Sequence, residues 1–233
     1  VTGRKSQLSN LSQEQKLDVA IDVLEKVEKD VRRGAPTRQG TKEFEAESVS
    51  EIVKDKKRKI KVDEEGEAER GVPMSKSSNM ELQMDLSSKK WYVYNENYGT
   101  SQEKYLIKFI SDAMDSIQDD YEDVYLIRNE SLFKIFRFSD GQGIEPDFVL
   151  LLKEKESEDP SLFQLFVEPK GEHLISNDEW KEEFLKKIED EYELYSLYSS
   201  DKIRLLGMPF YNEKMKNKFE NKLSEALEIN KLY

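Results

Sequence analysis

Two neighbouring stretches decide the fold, Pro146-Asp147-Phe148-Val149-Leu150-Leu151-Leu152 and Leu162-Phe163-Gln164-Leu165-Phe166-Val167-Glu168-Pro169-Lys170-Gly171. Both contain an apolar run of strand length, and the charged residues between them end in Asp-Pro-Ser, which is typical of a loop. The loop is centred midway between Asp147 and Glu168, so an antiparallel hairpin sets these two acids opposite each other. Because side chains alternate along a strand, Glu168 and Lys170 share a face. We therefore expect two carboxylates and a lysine at one end of a sheet.

This combination is typical of a magnesium site. Mg²⁺ prefers oxygen ligands and keeps several waters, so one or two carboxylates suffice when a phosphate joins the shell. The backbone carbonyl of Pro169, at the strand edge, is a further candidate ligand. A metal-bound water is a nucleophile near neutral pH, and Lys170 can orient it, deprotonate it or stabilise the oxyanion. The pattern predicts hydrolysis of a phosphodiester; the alternative is an ordinary cross-strand pairing of lysine and glutamate at the wet end of a strand.

The surrounding periodicity predicts an α/β layer built around one sheet. A helix is expected from about Thr100 to Gln118, with one apolar stripe, and further helices are expected over 177–195 and from Met215 to Leu227. The predicted strands are, besides the hairpin, Val124–Arg128, Leu132–Phe138 and Lys202–Leu206.

The chain has an acid in a first helix, Pro-Asp on a strand and Glu-x-Lys on the next strand. In these three features it resembles the PD-(D/E)XK nuclease superfamily. The phrases Tyr98-Gly99-Thr100-Ser101-Gln102-Glu103-Lys104, Glu145-Pro146-Asp147-Phe148 and Glu168-Pro169-Lys170-Gly171-Glu172-His173-Leu174 are similar to the C-terminal endonuclease domain of type III restriction enzyme Res subunits. The similarity is strong over about residues 91–196 and weaker back to residue 40. It implies a restriction-endonuclease-like core, in which the sheet is mixed and flanked by helices.

The resemblance also implies the site and the partners. Asp147, Glu168 and Lys170 become the catalytic set and Glu103 the first-helix acid that supports the metal. The substrate is double-stranded DNA, cut in phage defence, with an ATP-dependent helicase or translocase in the same full-length chain and a methyltransferase (Mod) subunit as partner. The alternative is a nuclease-like domain that has lost cleavage and serves DNA binding or complex assembly.

Two of these residues have ordinary alternatives. Thr100-x-x-Glu103 is a capping-box pattern, in which the glutamate bonds back to the start of the helix. His173, which is the single histidine, is either a surface side chain or a phosphate contact that shapes the site.

Composition divides the chain into three parts. Residues 1–62 form a helical and extended connector, in which Leu17, Ile21, Leu24, Val27 and Val31 make an apolar stripe expected to pack against a neighbouring domain. Residues 63–90 have little periodicity and indicate a linker or exposed arm. The endonuclease domain is expected over 91–233, where most of the aromatic residues lie. Because the chain begins at a valine, we expect it to be a fragment of a longer protein.

The formal net charge of −12 is unfavourable for DNA binding, which depends on Lys and Arg neutralising phosphates. Two basic groups are candidate DNA contacts, Lys56, Lys57 and Arg58 in one and Lys181 in the other. We expect most of the DNA affinity to come from elsewhere, and weak or no cutting by this chain alone at physiological salt. No phosphate-binding loop of an ATPase and no membrane-spanning stretch occur. The absence of cysteine fits a cytoplasmic protein.

Overall fold

The computed structural model describes residues 12–34, 39–45, 48–53, 69–155, 161–195, 203–229 and 232. It divides the chain into two compact units, Val1–Gln39 and Gly40–Tyr233. The first unit contains helix α1, Gln13–Gly34. The side chains of Leu17, Ile21, Leu24 and Val27 on α1 are between 45% and 66% exposed. The packing partner expected for this stripe stays a prediction, and the side chain of Val31 lies outside the described part.

The second unit is an α/β domain. Its helices and strands in chain order are β1 (Glu43–Glu45), α2 (Val49–Ile52), α3 (Ser101–Asp120), β2 (Tyr121–Arg128), β3 (Ile135–Phe136), β4 (Gly143–Ile144), β5 (Phe148–Glu154), β6 (Leu162–Val167), α4 (Glu172–Ile175), α5 (Glu179–Glu191), β7 (Glu193–Tyr195), β8 (Ile203–Gly207) and α6 (Lys216–Ala226). Short 3-10 helices lie at Met74–Lys76, Met80–Leu82 and Glu213–Met215.

The central sheet has the strand order β2-β5-β6-β8. The first two pairings are antiparallel and the pairing of β6 with β8 is parallel, so the sheet is mixed. Helices cover both of its faces, which explains why β5 and β6 are apolar runs rather than alternating sequences. The predicted mixed sheet flanked by helices is therefore confirmed.

Side-chain alternation divides the core between the two faces. On one face, Phe148, Leu150 and Leu152 of β5 pack with the buried stripe of α3 and with Phe219 and Leu223 of α6. On the other face, Val149 and Phe166 pack with the apolar side of α5, formed by Phe184, Leu185 and Ile188. The predicted α3 stripe of Leu106, Ile110, Ala113 and Ile117 is fully buried, as expected.

Helix α5 lies unusually close to β8. A Cβ atom on Gly207 would lie 1.9 Å from the carbonyl oxygen of Leu185, so only glycine fits at this position. The close approach fixes the height of α5 above the sheet, and with it the position of the first turn of the helix.

Two predicted elements are much shorter than expected. The expected strand over 132–138 is reduced to β3, which pairs with β4 outside the central sheet. It is short because the chain turns on both sides of it, with positive φ at Ser131 and Gly141. The helix expected over 177–195 ends at Glu191, where the backbone becomes extended and β7 pairs with β1. The apolar spacing continues past this point, so periodicity did not mark the helix end.

Residues 69–90 correct the prediction of a linker or exposed arm. Met74, Leu82 and Leu86 are at most 1% exposed, and Met74 and Leu86 belong to the same core as α3. The segment is built of turns and two 3-10 helices, so its apolar residues follow no regular period. Residues 63–68 lie outside the described part, and the other predicted domain boundaries stay predictions.

A buried ion pair attaches this segment to α3. The ammonium group of Lys104, which is fully buried, lies 2.6 Å from Glu69 Oε2 and 2.9 Å from the Glu69 carbonyl oxygen. The hydroxyls of Ser77 and Ser78 donate to the same carboxylate, each at 2.8 Å. Burial alone would raise the pKa of Glu69, but the hydrogen bond from Lys104 and those from the two serines lower it to about 2. The Glu69 carboxylate is therefore ionised, and both of its oxygens accept hydrogen bonds, which is the condition under which a buried pair is tolerated.

We predict that Lys104→Met destabilises the domain by about 3–5 kcal/mol, because Glu69 then stays buried without its counter-ion. The measurement is the free energy of unfolding in urea. Lys108→Met, one helical turn away on the exposed side and paired with Asp112, is the control and should cost no more than about 1 kcal/mol. Equal losses in the two variants would contradict the structural role of the buried pair.

Candidate functional site

The pairing of β5 with β6 sets the frame of the site. Phe148 is opposite Val167, so the register carried one residue further sets Asp147 opposite Glu168, as the sequence predicted. The backbone N–H of Asp147 donates to Glu168 Oε2 at 3.0 Å. Glu168 is buried. The two acids thus lie together at the end of the central sheet.

Lys170 joins this pair from the chain just beyond β6. Its ammonium group donates to Glu168 Oε1 at 2.9 Å and lies 2.7 Å from Asp178 Oδ2. The ring of Phe210 lies below it, 5.6 Å from the nitrogen to the ring centroid, a cation–π distance. The backbone of Lys170 is also fixed, because its N–H donates to the Tyr211 carbonyl and its carbonyl accepts from the Asn212 side chain.

The start of α5 completes the cluster. Asp178 is the N-cap residue of α5, and Lys181 lies in its first turn. The ammonium group of Lys181 is 3.3 Å from Asp178 Oδ2 and 3.9 Å from Glu168 Oε1. Lys181, predicted as a DNA contact, therefore lies inside the candidate site rather than on a separate basic surface.

Asp147 has a strongly shifted pKa. Burial, followed by the negative charges of Glu168 and Glu103, raises the pKa of Asp147 to about 8, against the opposing effect of Lys170 and Arg128. Such a shift is typical of carboxyls that share a site. A bound cation would reverse this repulsion, because it favours the ionised form of both acids.

The pKa of Lys170 is also raised, but here the shift favours the charged form. Burial alone would lower its pKa, but the charge of Glu168 and the hydrogen bonds to Asp178 and Glu168 raise the pKa of Lys170 to about 12. Burial raises the pKa of Asp178, and the hydrogen bond and charges of the lysines outweigh this and lower it. Lys170 is therefore a cation at neutral pH and Asp178 an anion.

Glu103 forms the capping box that the sequence suggested. Its carboxylate accepts from the Thr100 N–H and its own N–H donates to the Thr100 hydroxyl, both at 3.3 Å. The same carboxylate is 2.6 Å from Nε of Arg128 on β2. Gly99 makes room for it, because a Cβ there would lie 2.1 Å from Glu103 Oε2. Glu103 thus acts as a helix cap and the partner of an arginine, and its charge still reaches Asp147.

The backbone hydrogen bonds around Pro169 indicate the direction in which its carbonyl points, which is towards the strand that follows Asp147. The Glu168 carbonyl accepts from the Tyr211 N–H and the Lys170 N–H donates to the Tyr211 carbonyl, both on the side of the sheet edge next to β8. Successive carbonyls of an extended chain point to opposite sides, so the Pro169 carbonyl is directed away from Tyr211. This orientation is compatible with the ligand role predicted for it.

The remaining predicted contacts are His173 and the basic group Lys56, Lys57 and Arg58. His173 is exposed in the short helix α4, next to Gly171. Its proposed phosphate contact stays a prediction. Lys56, Lys57 and Arg58 lie outside the described residues, so the structure does not describe this candidate DNA contact.

The donor set fits a hard cation that keeps water or substrate ligands. Within the described part of the chain, no group of three or more His, Cys, Asp or Glu side chains could hold a metal ion. Asp147 and Glu168 supply two carboxylates, and Mg²⁺ is commonly held by one or two carboxylates together with waters and phosphate oxygens.

Sequence reasoning missed Asp178, Arg128 and Phe210. Asp178 is an N-cap residue type before an amphipathic helix, a pattern that locates a helix start but not what its carboxylate contacts. Arg128 ends a strand, and its contact with Glu103 depends on the packing of α3 against β2. Phe210 lies beyond β8 and reaches Lys170 through the parallel pairing of Pro169 with Tyr211.

Comparison with known proteins gives a family but no activity. Residues 38–228 match the model of the HI_1054_C family, which is described as a C-terminal domain. The chain belongs to this family. It is also 38% identical over 216 residues to an uncharacterized protein of Haemophilus influenzae. The match includes 89% of this chain and 43% of the H. influenzae protein, so the chain spans less than half of that relative's length. No solved structure matches the chain significantly.

Within the described residues of this HI_1054_C domain, none of the helices combines the length and apolar composition that crossing a membrane requires.

We predict that Asp147→Asn stabilises the domain increasingly as pH rises from about 4 to about 8. In the wild type the folded-state pKa of about 8 lies above the ordinary value, so the folded protein holds a proton that the unfolded chain has lost. Stability therefore falls as pH rises through this window, and asparagine removes that loss. The measurement is the melting temperature at pH 5 and pH 8 in EDTA, with exposed Asp115→Asn as the control for one lost charge. A Tm difference between Asp147→Asn and wild type that is the same at both pH values would contradict the raised pKa.

Proposed function

We propose that this chain is the Mg²⁺-dependent endonuclease domain of a DNA-cleaving enzyme, with a PD-(D/E)XK core like that of type III restriction Res subunits. The observation that carries the proposal is the register of β5 and β6, which brings Asp147, Glu168 and Lys170 to one end of the sheet. The bare Glu-x-Lys pattern has little weight in a chain with 37% charged residues. Its position at the end of a buried hairpin, opposite Pro-Asp, is the specific feature.

The sheet order supports the assignment of the core. A helix precedes β2, a hairpin of β5 and β6 carries the acids, and a crossover through α5 leads to the parallel strand β8. The acid of the first helix, Glu103, acts electrostatically on Asp147. These features agree with the resemblance to Res-subunit endonuclease domains that the sequence suggests over about residues 91–196.

Asp147 and Glu168 are the residues that would hold Mg²⁺, with the Pro169 carbonyl as a further oxygen ligand. When bound, the metal lowers the pKa of a coordinated water and offsets negative charge on the phosphate. The raised pKa of Asp147 fits this role, because two adjacent carboxyls in a buried place are stabilised by a cation between them.

Lys170 is the residue that stabilises charge in the reaction. Of the roles considered for it, charge stabilisation is favoured over proton abstraction, because a pKa of about 12 keeps the amine protonated at neutral pH. A fixed ammonium group aimed at a developing oxyanion gains more in a buried site than in water. Glu168 and the Phe210 ring hold Lys170 in place before the substrate arrives.

The acidic net charge requires that the domain be brought to DNA by other parts. A formal charge of −12 opposes binding to a polyanion. The substrate we propose is double-stranded DNA, delivered in the cytoplasm by an ATP-dependent motor in the longer protein together with a methyltransferase (Mod) subunit. More than half of the H. influenzae relative lies outside the match, which leaves room for such parts in that protein.

The test is nicking of supercoiled plasmid DNA by this chain with Mg²⁺ or Mn²⁺ at low salt, where weak DNA binding is strongest. We expect Asp147→Ala, Glu168→Ala and Lys170→Ala to cut at least about 10²–10³-fold more slowly. Lys187→Ala, on the same helix as Lys181 but outside the cluster, should cut like the wild type. Thermal unfolding curves confirm that each variant is folded.

Cutting by the Lys170 variant at the wild-type rate would refute the catalytic assignment. If the wild type does not nick DNA with either metal but binds it, the alternative function, a cleavage-inactive domain for DNA binding or assembly, is favoured.

Glu103→Gln provides a separate prediction, because glutamine keeps the capping-box geometry and removes the charge that acts on Asp147 and Arg128. If Glu103 is mainly a cap, glutamine preserves that role and cutting falls only slightly, whereas Glu103→Ala loses the cap and about 1 kcal/mol of stability. If it supports the metal, cutting falls as far as in Asp147→Ala. The measurement is the nicking rate of these three variants together with their free energies of unfolding.

A further inference from the structure

Two lysines in the cluster contact the same two oxygen atoms. Lys170 Nζ lies 2.9 Å from Glu168 Oε1 and 2.7 Å from Asp178 Oδ2. Lys181 Nζ lies 3.9 Å and 3.3 Å from these same atoms. Asp178 Oδ2 therefore sits between two ammonium groups, in a position where an anionic oxygen is bound from both sides.

The Asp178 carboxylate contacts the two lysines instead of capping the start of helix α5. An aspartate at the N-cap usually accepts hydrogen bonds from the N–H groups of the first turn. The N-cap Asp178 has no side-chain capping hydrogen bond. Its carboxylate has a second favourable place within reach, at the positive end of the 13-residue helix α5.

We propose that Lys170 and Lys181 form a binding site for a phosphate oxyanion, and that Asp178 occupies this site until a substrate phosphate displaces it. The displaced carboxylate then caps the start of α5. The Asp178 contact is thus autoinhibitory: it neutralises the two lysines in the resting protein and must be exchanged for the ligand.

The two lysines are held independently of Asp178. Lys170 is fixed by backbone hydrogen bonds to Tyr211 and Asn212, and its ammonium group keeps Glu168 and the Phe210 ring as neighbours. Lys181 belongs to the first turn of α5, whose height above the sheet is fixed at Gly207. Removing the Asp178 charge therefore leaves both ammonium groups near their present places.

The two ammonium groups favour a compact anion that both of them can contact. Two ammonium groups on one oxygen suit a phosphate, whose several oxygens accept charge-assisted hydrogen bonds. The identification of this phosphate as one in the DNA backbone rests on the proposed function. The existence of the anion site and its occupation by Asp178 rest on the distances alone.

The experiment measures binding of a fluorescent short DNA duplex and of inorganic phosphate to the whole chain in EDTA, so that neither metal nor cleavage contributes. Asp178→Asn and Asp178→Ser both keep a good N-cap residue type and remove the charge. We expect both variants to bind the duplex about tenfold more tightly than the wild type. The gain should disappear in Asp178→Asn combined with Lys181→Gln.

The matched control is Glu172→Gln. Glu172 lies two residues from Lys170 but pairs with Lys214, so its loss removes one negative charge near the site without releasing either lysine. An equal gain in this control would show a general charge effect and overturn the proposal. Unchanged or weaker duplex binding in both folded Asp178 variants, or a gain that survives Lys181→Gln, would also overturn it.

The two ligands distinguish the source of the phosphate. Tighter binding of both duplex and inorganic phosphate supports a general phosphate site, and tighter binding of the duplex alone supports a site for the DNA backbone. The result is separate from catalysis: a wild type that does not nick DNA at low salt, with tighter binding by the Asp178 variants, favours the cleavage-inactive alternative and leaves the anion site. A wild type that cuts DNA, with no tighter binding by the Asp178 variants, supports the nuclease and refutes the anion site.

Discussion

The register between β5 and β6 is the constraint on which the rest of the site depends. A slip of one residue would turn every side chain of a strand to the opposite face. Both faces of these strands are buried under helices, so a slipped register would exchange the large core of α3 and α6 with the smaller core of α5. The cost of repacking both cores holds Asp147 opposite Glu168. A packing requirement spread over the whole sheet thus fixes the position of two polar residues at its end.

The charged groups at this end of the sheet stabilise one another through hydrogen bonds and charge. Glu168 is buried, and an isolated buried carboxylate is costly, yet it accepts from the Asp147 N–H and from Lys170. For Asp147, burial and the charges of Glu168 and Glu103 outweigh Lys170 and Arg128 and raise its pKa to about 8, which favours its protonated form. The carboxylate of Glu103 accepts from the Thr100 N–H and pairs with Arg128. The protein therefore keeps one acid of the pair neutral and the other compensated.

The sequence predicted the parts of the fold that depend on local pattern. The apolar runs of β5 and β6, their register and the buried stripe of α3 follow from side-chain period and turn composition, and the structure confirms them. The segment 69–90 was not predictable in this way, because its buried residues lie in turns and 3-10 helices without a period. The end of α5 at Glu191 was missed for another reason, since the pairing of β7 with β1 involves residues far apart in sequence.

The candidate site was predictable only in part for the same reason. Asp147, Glu168 and Lys170 come from one hairpin, so a local argument brings them together. Asp178 and Lys181 join them through a helix whose height is set by its contact with β8, and Arg128 through the packing of α3 on β2. Contacts between elements that are distant in sequence leave no periodic trace in a single chain.

The Glu69–Lys104 pair has a practical consequence for the size of an independently folding piece. A shortened chain that begins at Trp91, where composition suggests that the domain starts, would lack Glu69, Met74 and Leu86. It would expose part of the α3 core and leave the Lys104 ammonium group buried without its anion, one residue away from Glu103. The smallest autonomously folding fragment must therefore retain Glu69, and poor solubility of a shorter one would reflect the missing anion and core residues rather than a defect of the sheet.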